Sequence, residues 1–113
     1  MKKKDFTLVR GDTFNIGVTV TSGVIPKNIS GCTIYLTVKL NITDTDAEAV
    51  IRKDITSHTS PATGKSIIPV TSTDTSDLTG DYYYDIQYKD TGSNIYTLTM
   101  GTLTFIADVT LRT

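Results

Sequence analysis

Three stretches of this chain alternate apolar and polar residues with a period of two. Residues 13–20, TFNIGVTV, place Phe14, Ile16, Val18 and Val20 on one face and Asn15, Gly17 and Thr19 on the other. Residues 33–40, TIYLTVKL, repeat the pattern with Ile34, Leu36, Val38 and Leu40, and residues 81–88, DYYYDIQY, with Tyr82, Tyr84, Ile86 and Tyr88. Successive side chains of a strand point to opposite faces, so each run reads as a strand that packs on one side and meets solvent on the other.

Shorter strands are expected at residues 6–9, 50–56, 66–70, 96–100 and 103–107. Pro69 donates no hydrogen bond, which moves 66–70 to a sheet edge and blunts that edge, so docking is expected through another edge or through loops. The stretches SGVIPKNISG, SHTSPATG and KDTGSN carry the Gly, Pro, Asn and Ser of turns, and KDTGSN reads as a hairpin loop. Single helical turns fit residues 44–49 and 72–78, the latter with a Thr or Ser cap. The apolar phase shifts between Met100 and Leu103, so an extra residue must be absorbed near Gly101. A β-bulge within one long strand is expected, with a tight turn between two strands as the alternative.

Seven or so strands with no amphipathic helix to cover them must bury their apolar faces against each other. The expected fold is all-β, an immunoglobulin-like antiparallel β-sandwich, with a small barrel as the alternative. The 113 residues show no repeat and no linker, so residues 1–113 read as one domain. The single cysteine, Cys32, excludes an internal disulfide and reads as a small, half-buried strand residue.

A formal net charge of −1 supplies no field to hold a phosphate backbone, so nucleic acid is not an expected partner. Lys2, Lys3 and Lys4 precede no apolar h-region, and no run approaches membrane-spanning length. The expectation is synthesis in the cytoplasm without a signal peptide, and no membrane partner. Catalytic chemistry is poorly supplied. His58 stands alone in the polar loop SHTSP and reads as a solvated side chain, and zinc needs several Cys or His ligands where the chain has one of each. The acidic stretch TDTDAE, with Asp44, Asp46 and Glu48, lacks the glycine and the spaced terminal glutamate of a calcium loop. Neither a metal nor a cofactor is expected. The candidate surface contacts are Tyr83, which faces outward if Tyr82 and Tyr84 face the core, and Tyr35, its expected neighbour on another strand. Each offers a large rigid face with a polar tip suited to a sugar or a protein, although cross-strand packing explains them equally well.

Read in order, LVRGDTFNIGVTV, GCTIYLTVKLNITDTDAEAVIRKDI and GDYYYDIQYKDTGSNIYTLTMGTLTFIADVT resemble the immunoglobulin-like N-terminal domain of bacteriophage baseplate upper proteins. A GDTF opening, a T-I-Y-x-T-V-K strand leading to a DTDA turn, and a GDYxYDI hairpin closing on G-x-L-x-F and D-V-T carry the resemblance across residues 6–110. It implies a non-enzymatic virion protein of the tail or baseplate, a docking or spacer module. The implied partners are other phage tail and baseplate proteins, with a homo-oligomer, commonly a trimer, in the assembled virion and a weak or monomeric state alone. Members of that family continue into helical or fibre segments, whereas this chain ends at Thr113. A carbohydrate- or host-surface-binding module of an adhesin or tail fibre, using Tyr35 and Tyr83, is the alternative.

Arg10-Gly11-Asp12 matches an integrin-adhesion signal, but it lies between a short strand ending at Val9 and a strong one starting at Thr13. The expected role is a corner, with Gly11 at positive φ.

Overall fold

A computed structural model describes residues 2–22 and 24–107 of the chain. The three alternating runs become β3 (Phe14–Thr19), β6 (Thr33–Lys39) and β9 (Gly80–Lys89). Val18, Val20, Ile34, Leu36, Val38, Tyr82, Tyr84, Ile86 and Tyr88 are buried as their phase requires, while Phe14 and Ile16 are only partly buried against the same core. Leu40 departs from the expectation: β6 ends at Lys39, the chain turns away, and Leu40 is 53% exposed.

The large sheet runs in the order β1 (Lys2–Lys3), β10 (Ile95–Ile106), β9, β6, β7 (Ile51–Ile55), and β2 (Phe6–Val9) continues the β1 edge along β10. β10, β9, β6 and β7 pair antiparallel, but β1 and β2 run parallel to β10. An all-antiparallel arrangement is therefore corrected at this edge. After Val9 the chain enters β3 in the other sheet instead of folding back as a hairpin, so nothing requires β2 to oppose its neighbour. The second, small sheet is β3 paired antiparallel with β8 (Lys65–Val70), and a short hairpin joins β4 (Thr21–Ser22) to β5 (Ile25–Pro26). Among the described residues β8 has a single strand partner, the edge position that Pro69 suits.

Val18, Ile68 and Val70 of the small sheet, Val20 just beyond β3, and Ile34, Leu36, Ile86, Leu103 and Phe105 of the large sheet belong to one hydrophobic core. Phe105 lies edge-on to Tyr82 with ring centroids 5.7 Å apart. Ile29 is also fully buried, although SGVIPKNISG reads as a turn, because its N–H donates to the Pro61 carbonyl and draws that loop under the core. Cys32 is a free, buried thiol one residue before β6, deeper than its expected half-buried strand position.

β10 is one continuous strand with a bulge, not two strands with a turn. The irregularity lies between Thr97 and Thr99, ahead of Gly101. Leu98 is the extra residue, and beyond it the odd positions Leu103 and Phe105 face inward. Gly101 serves a different purpose. A side chain there would place its first carbon 2.1 Å from the Lys4 carbonyl oxygen, so glycine lets the N-terminal strand cross at close range. The crossing is fastened on both sides: Tyr84 Oη donates to Lys4 O at 2.5 Å, and Thr102 N donates to Asp5 Oδ1 at 2.9 Å.

The Arg10-Gly11-Asp12 corner is a β-turn closed by Asp12 N donating to Val9 O at 3.3 Å, with Gly11 at φ +81°. The fully buried Thr75 hydroxyl holds it, accepting from Gly11 N at 2.9 Å and donating to Asp12 O at 3.2 Å. Thr75 ends the single turn of α1 (Ser72–Thr75), whose cap Thr71 exchanges hydrogen bonds with Asp74 in a capping box. The KDTGSN loop joins β9 to β10 as expected, with Asp90 Oδ1 accepting from the N–H groups of Gly92 and Asn94.

Candidate functional site

The outward face of the large sheet is built from the odd residues of β6 and β9 and, past the bulge, the even residues of β10. Its registers fix which side chains meet. Tyr83 lies between Lys39 and Thr102, Asp85 between Thr37 and Met100, and Tyr35 between Gln87 and Asp54. Tyr83 does face outward, 47% exposed. It is not beside Tyr35, because the antiparallel register sets Tyr35 four residue pairs further along the sheet, where it is half-buried between Asp54 and Gln87.

An open cleft of about 340 Å³ lies on this face, lined by Thr37, Lys39, Ile42, Tyr83, Asp85 and Met100 among others. It takes in Tyr83 and leaves out Tyr35. Gln87 Nε2 reaches Asp85 Oδ2 at 3.4 Å and Thr97 Oγ1 at 3.3 Å, which links the polar groups of neighbouring strands. Below this surface, burial and then the Asp5 carboxylate raise the Tyr84 phenol above its ordinary value, which keeps its hydroxyl a donor to Lys4. The cleft therefore combines one aromatic face, apolar surface from Ile42 and Met100, a cation and a carboxylate. Such a surface can seat a sugar ring or an extended peptide. Ile42, Lys39 and Met100 are absent from the residues singled out by sequence. Lys39 was legible as an outward position of β6, Met100 only once the bulge is placed, and Ile42, on the loop after β6, not at all.

The remaining candidates have local structural work. His58 is not a solvated loop side chain. It is half-buried, with Nε2 donating to Cys32 O at 2.7 Å and Nδ1 2.8 Å from the hydroxyl of buried Ser66, because both groups need partners away from water. Asp44 accepts from Asn41 N at 3.2 Å, and Glu48 accepts from the N–H and hydroxyl of Thr45, each at 3.1 Å, around the 3₁₀ turn Asp46–Glu48. These bonds to Thr45 hold the Glu48 carboxyl below the usual carboxylate range. Asp74 meets Lys53 Nζ at 2.8 Å. Desolvation raises its carboxyl, but the bonds from Lys53 and Thr71 together outweigh that and leave it lowered. Among the described residues no group of three or more His, Cys, Asp or Glu gathers to hold a metal ion. Among them, too, no helix is long and apolar enough to cross a membrane.

In comparisons with known proteins, no protein-family model and no curated protein matches the chain.

Proposed function

We propose that this chain is a non-enzymatic structural module of a bacteriophage or prophage tail or baseplate, an immunoglobulin-like β-sandwich that acts as a docking or spacer unit in virion assembly. The observation that carries the reading is that the residues of the resemblance are those that build the frame. Gly11, Asp12, Thr13 and Phe14 turn the chain into β3, TIYLTVK forms β6, GDYYYDIQYK forms β9, and GTLTF lies in β10. The closing 108–110 portion lies outside the described residues. A large sheet and a small sheet that share one core support the sandwich assignment. Its partners are other tail and baseplate proteins, with a homo-oligomer, a trimer in the virion, that is weak or monomeric alone. The test is mass spectrometry and immunolabelling of particles purified from the phage or prophage whose genome carries this reading frame. Label at the tail tip is expected, and its absence from intact particles refutes the proposal.

A carbohydrate- or host-surface-binding module is the second reading, favoured by the exposure of Tyr83 in the cleft. A screen against host wall glycans separates the two. Saturable binding lost in Tyr83→Ala and kept in Tyr35→Ala supports this reading, and no binding to any glycan removes it.

A further inference from the structure

Open sheet edges invite pairing with another chain, and proteins guard them with charge, proline or brevity. Three of the edges here are guarded. β7 carries Arg52, Lys53 and Asp54, and Lys53 points inward to its partner Asp74. β8 carries Pro69, and at its start Lys65 exchanges backbone bonds with Ser60. The N-terminal edge is broken into the short β1 and β2 by Lys4 and Asp5, and Arg10 follows it. β3 is different. Its six residues, FNIGVT, contain no charge and no proline, and among the described residues no strand pairs with its other side.

The backbone groups of β3 alternate in direction along the strand. Val20 N donates to Gly64 O at 2.8 Å, on the side where β8 lies. Antiparallel ladders alternate, so Phe14, Ile16 and Val18 also direct their N–H and C=O toward β8, while Asn15, Gly17 and Thr19 direct theirs to the open edge. By the same alternation Pro69, opposite Asn15, lacks only an N–H that would face away from β3.

Gly17 gives an independent sign. It sits mid-strand, its φ is not positive, and a Cβ built there meets nothing within 4 Å. Among the described residues nothing asks for glycine at this position, and glycine weakens a strand interior. A bulge, a bend, and the close approach of a ligand or another backbone are the usual reasons for a strand glycine, and β3 shows no bulge here.

We infer that the open edge of β3 pairs antiparallel with β3 of a second copy about a two-fold axis through Gly17. Of the symmetric registers, this one sets every outward N–H of Asn15, Gly17 and Thr19 against an outward C=O: Gly17 meets its own copy and Asn15 meets Thr19. On the inner side Ile16 meets Val18, apolar against apolar, next to the partly buried Phe14 and Ile16 that the single molecule leaves half-covered. No like charges oppose the pairing, because β3 has none. The contact is isologous, so it closes at two copies and leaves the outward face of the large sheet open for a separate ring contact. A strand edge of this length covers well under the ~800 Å² per partner of a standard interface, so the pairing is weak and concentration-dependent.

The test is sedimentation equilibrium of the whole chain from micromolar to millimolar concentration, with amide hydrogen exchange at both ends of the series. A reversible monomer–dimer equilibrium is expected, with exchange slowed by concentration at Asn15, Gly17 and Thr19 and unchanged at Ile16 and Val18. Gly17→Pro removes one outward N–H and obstructs the edge while sparing the β8 ladder. It is expected to melt like wild type in dilute solution and to stay monomeric. Wild type that stays monomeric at millimolar concentration overturns the inference, as does a dimer that persists in Gly17→Pro. If the proline variant does not fold, wild-type exchange decides alone: protection that rises elsewhere and not at these three amides overturns the pairing.

Discussion

Replacing His58 by alanine deletes two hydrogen bonds and leaves two acceptor or donor groups behind. The Cys32 carbonyl loses the Nε2 donor at 2.7 Å, and the Ser66 hydroxyl, on a residue only 2% exposed, loses Nδ1 at 2.8 Å. A typical net hydrogen bond contributes roughly 0.5–1.5 kcal/mol, and a buried group left without a partner costs about 1–3 kcal/mol. Two such losses set an upper limit of ~6 kcal/mol, but His58 is only half-buried and its removal admits water, which lowers the expected cost to about 2–3 kcal/mol. Ser66→Ala leaves the imidazole near solvent and no buried hydroxyl, so it should cost less, about 1 kcal/mol. The chain contains no tryptophan, so urea unfolding is best followed by far-ultraviolet circular dichroism. A double-mutant cycle then isolates the His58–Ser66 coupling. A His58→Ala midpoint equal to wild type at unchanged slope refutes the reasoning, because it makes the histidine the surface group that its loop sequence suggests.

Gly11→Val should cost roughly 1 kcal/mol or more, since a β-branched side chain is strained at φ +81°, and urea titration reads it directly. Gly101→Ala should loosen the N-terminal strand, seen as faster amide exchange at Lys4 and across Phe6–Val9, because its methyl carbon would meet the Lys4 carbonyl oxygen. Phe105→Ala should cost about 3–5 kcal/mol and Phe14→Ala less, as one ring is fully buried and the other partly, a ranking that thermal unfolding of the pair will test. The Asp74 carboxyl is lower in the folded state than its ordinary value, so its contribution is complete above the unfolded pKa near ~3.9 and is lost as pH falls through the folded value. The pair is partly exposed and the effect small; Asp74→Asn should flatten the acid limb of stability against pH below about pH 4.

The strand frame was legible because alternation reports which face is buried whatever the partner, so β3, β6 and β9 and the inward tyrosines follow from spacing alone. How the strands divide between two sheets and the parallel N-terminal edge were not legible, since the pattern of β2 is the same for either strand direction. The bulge was visible as a change of phase but misplaced, because Met100 looks like an inward residue until its register with Asp85 is known. His58 and Ile29 illustrate the harder limit. Each sits in a stretch with the composition of a turn, and each is fixed by a carbonyl or hydroxyl distant in sequence. The same holds for Tyr35 and Tyr83, whose outward facing follows from alternation while their separation depends on a register no local pattern encodes.

The parallel pairing of β1 and β2 with β10 also decides how tension would travel through the molecule. Parallel neighbours begin at the same end, so a pull that draws Lys2 away from Ile106 slides the two strands lengthwise past each other. The hydrogen bonds between them, together with the Tyr84 and Asp5 fastenings near Gly101, would then bear load side by side, whereas an antiparallel hairpin gripped at its open end parts one bond at a time. The N-terminal strand is thus placed to resist lengthwise pulling between Lys2 and Ile106 better than peeling from one end.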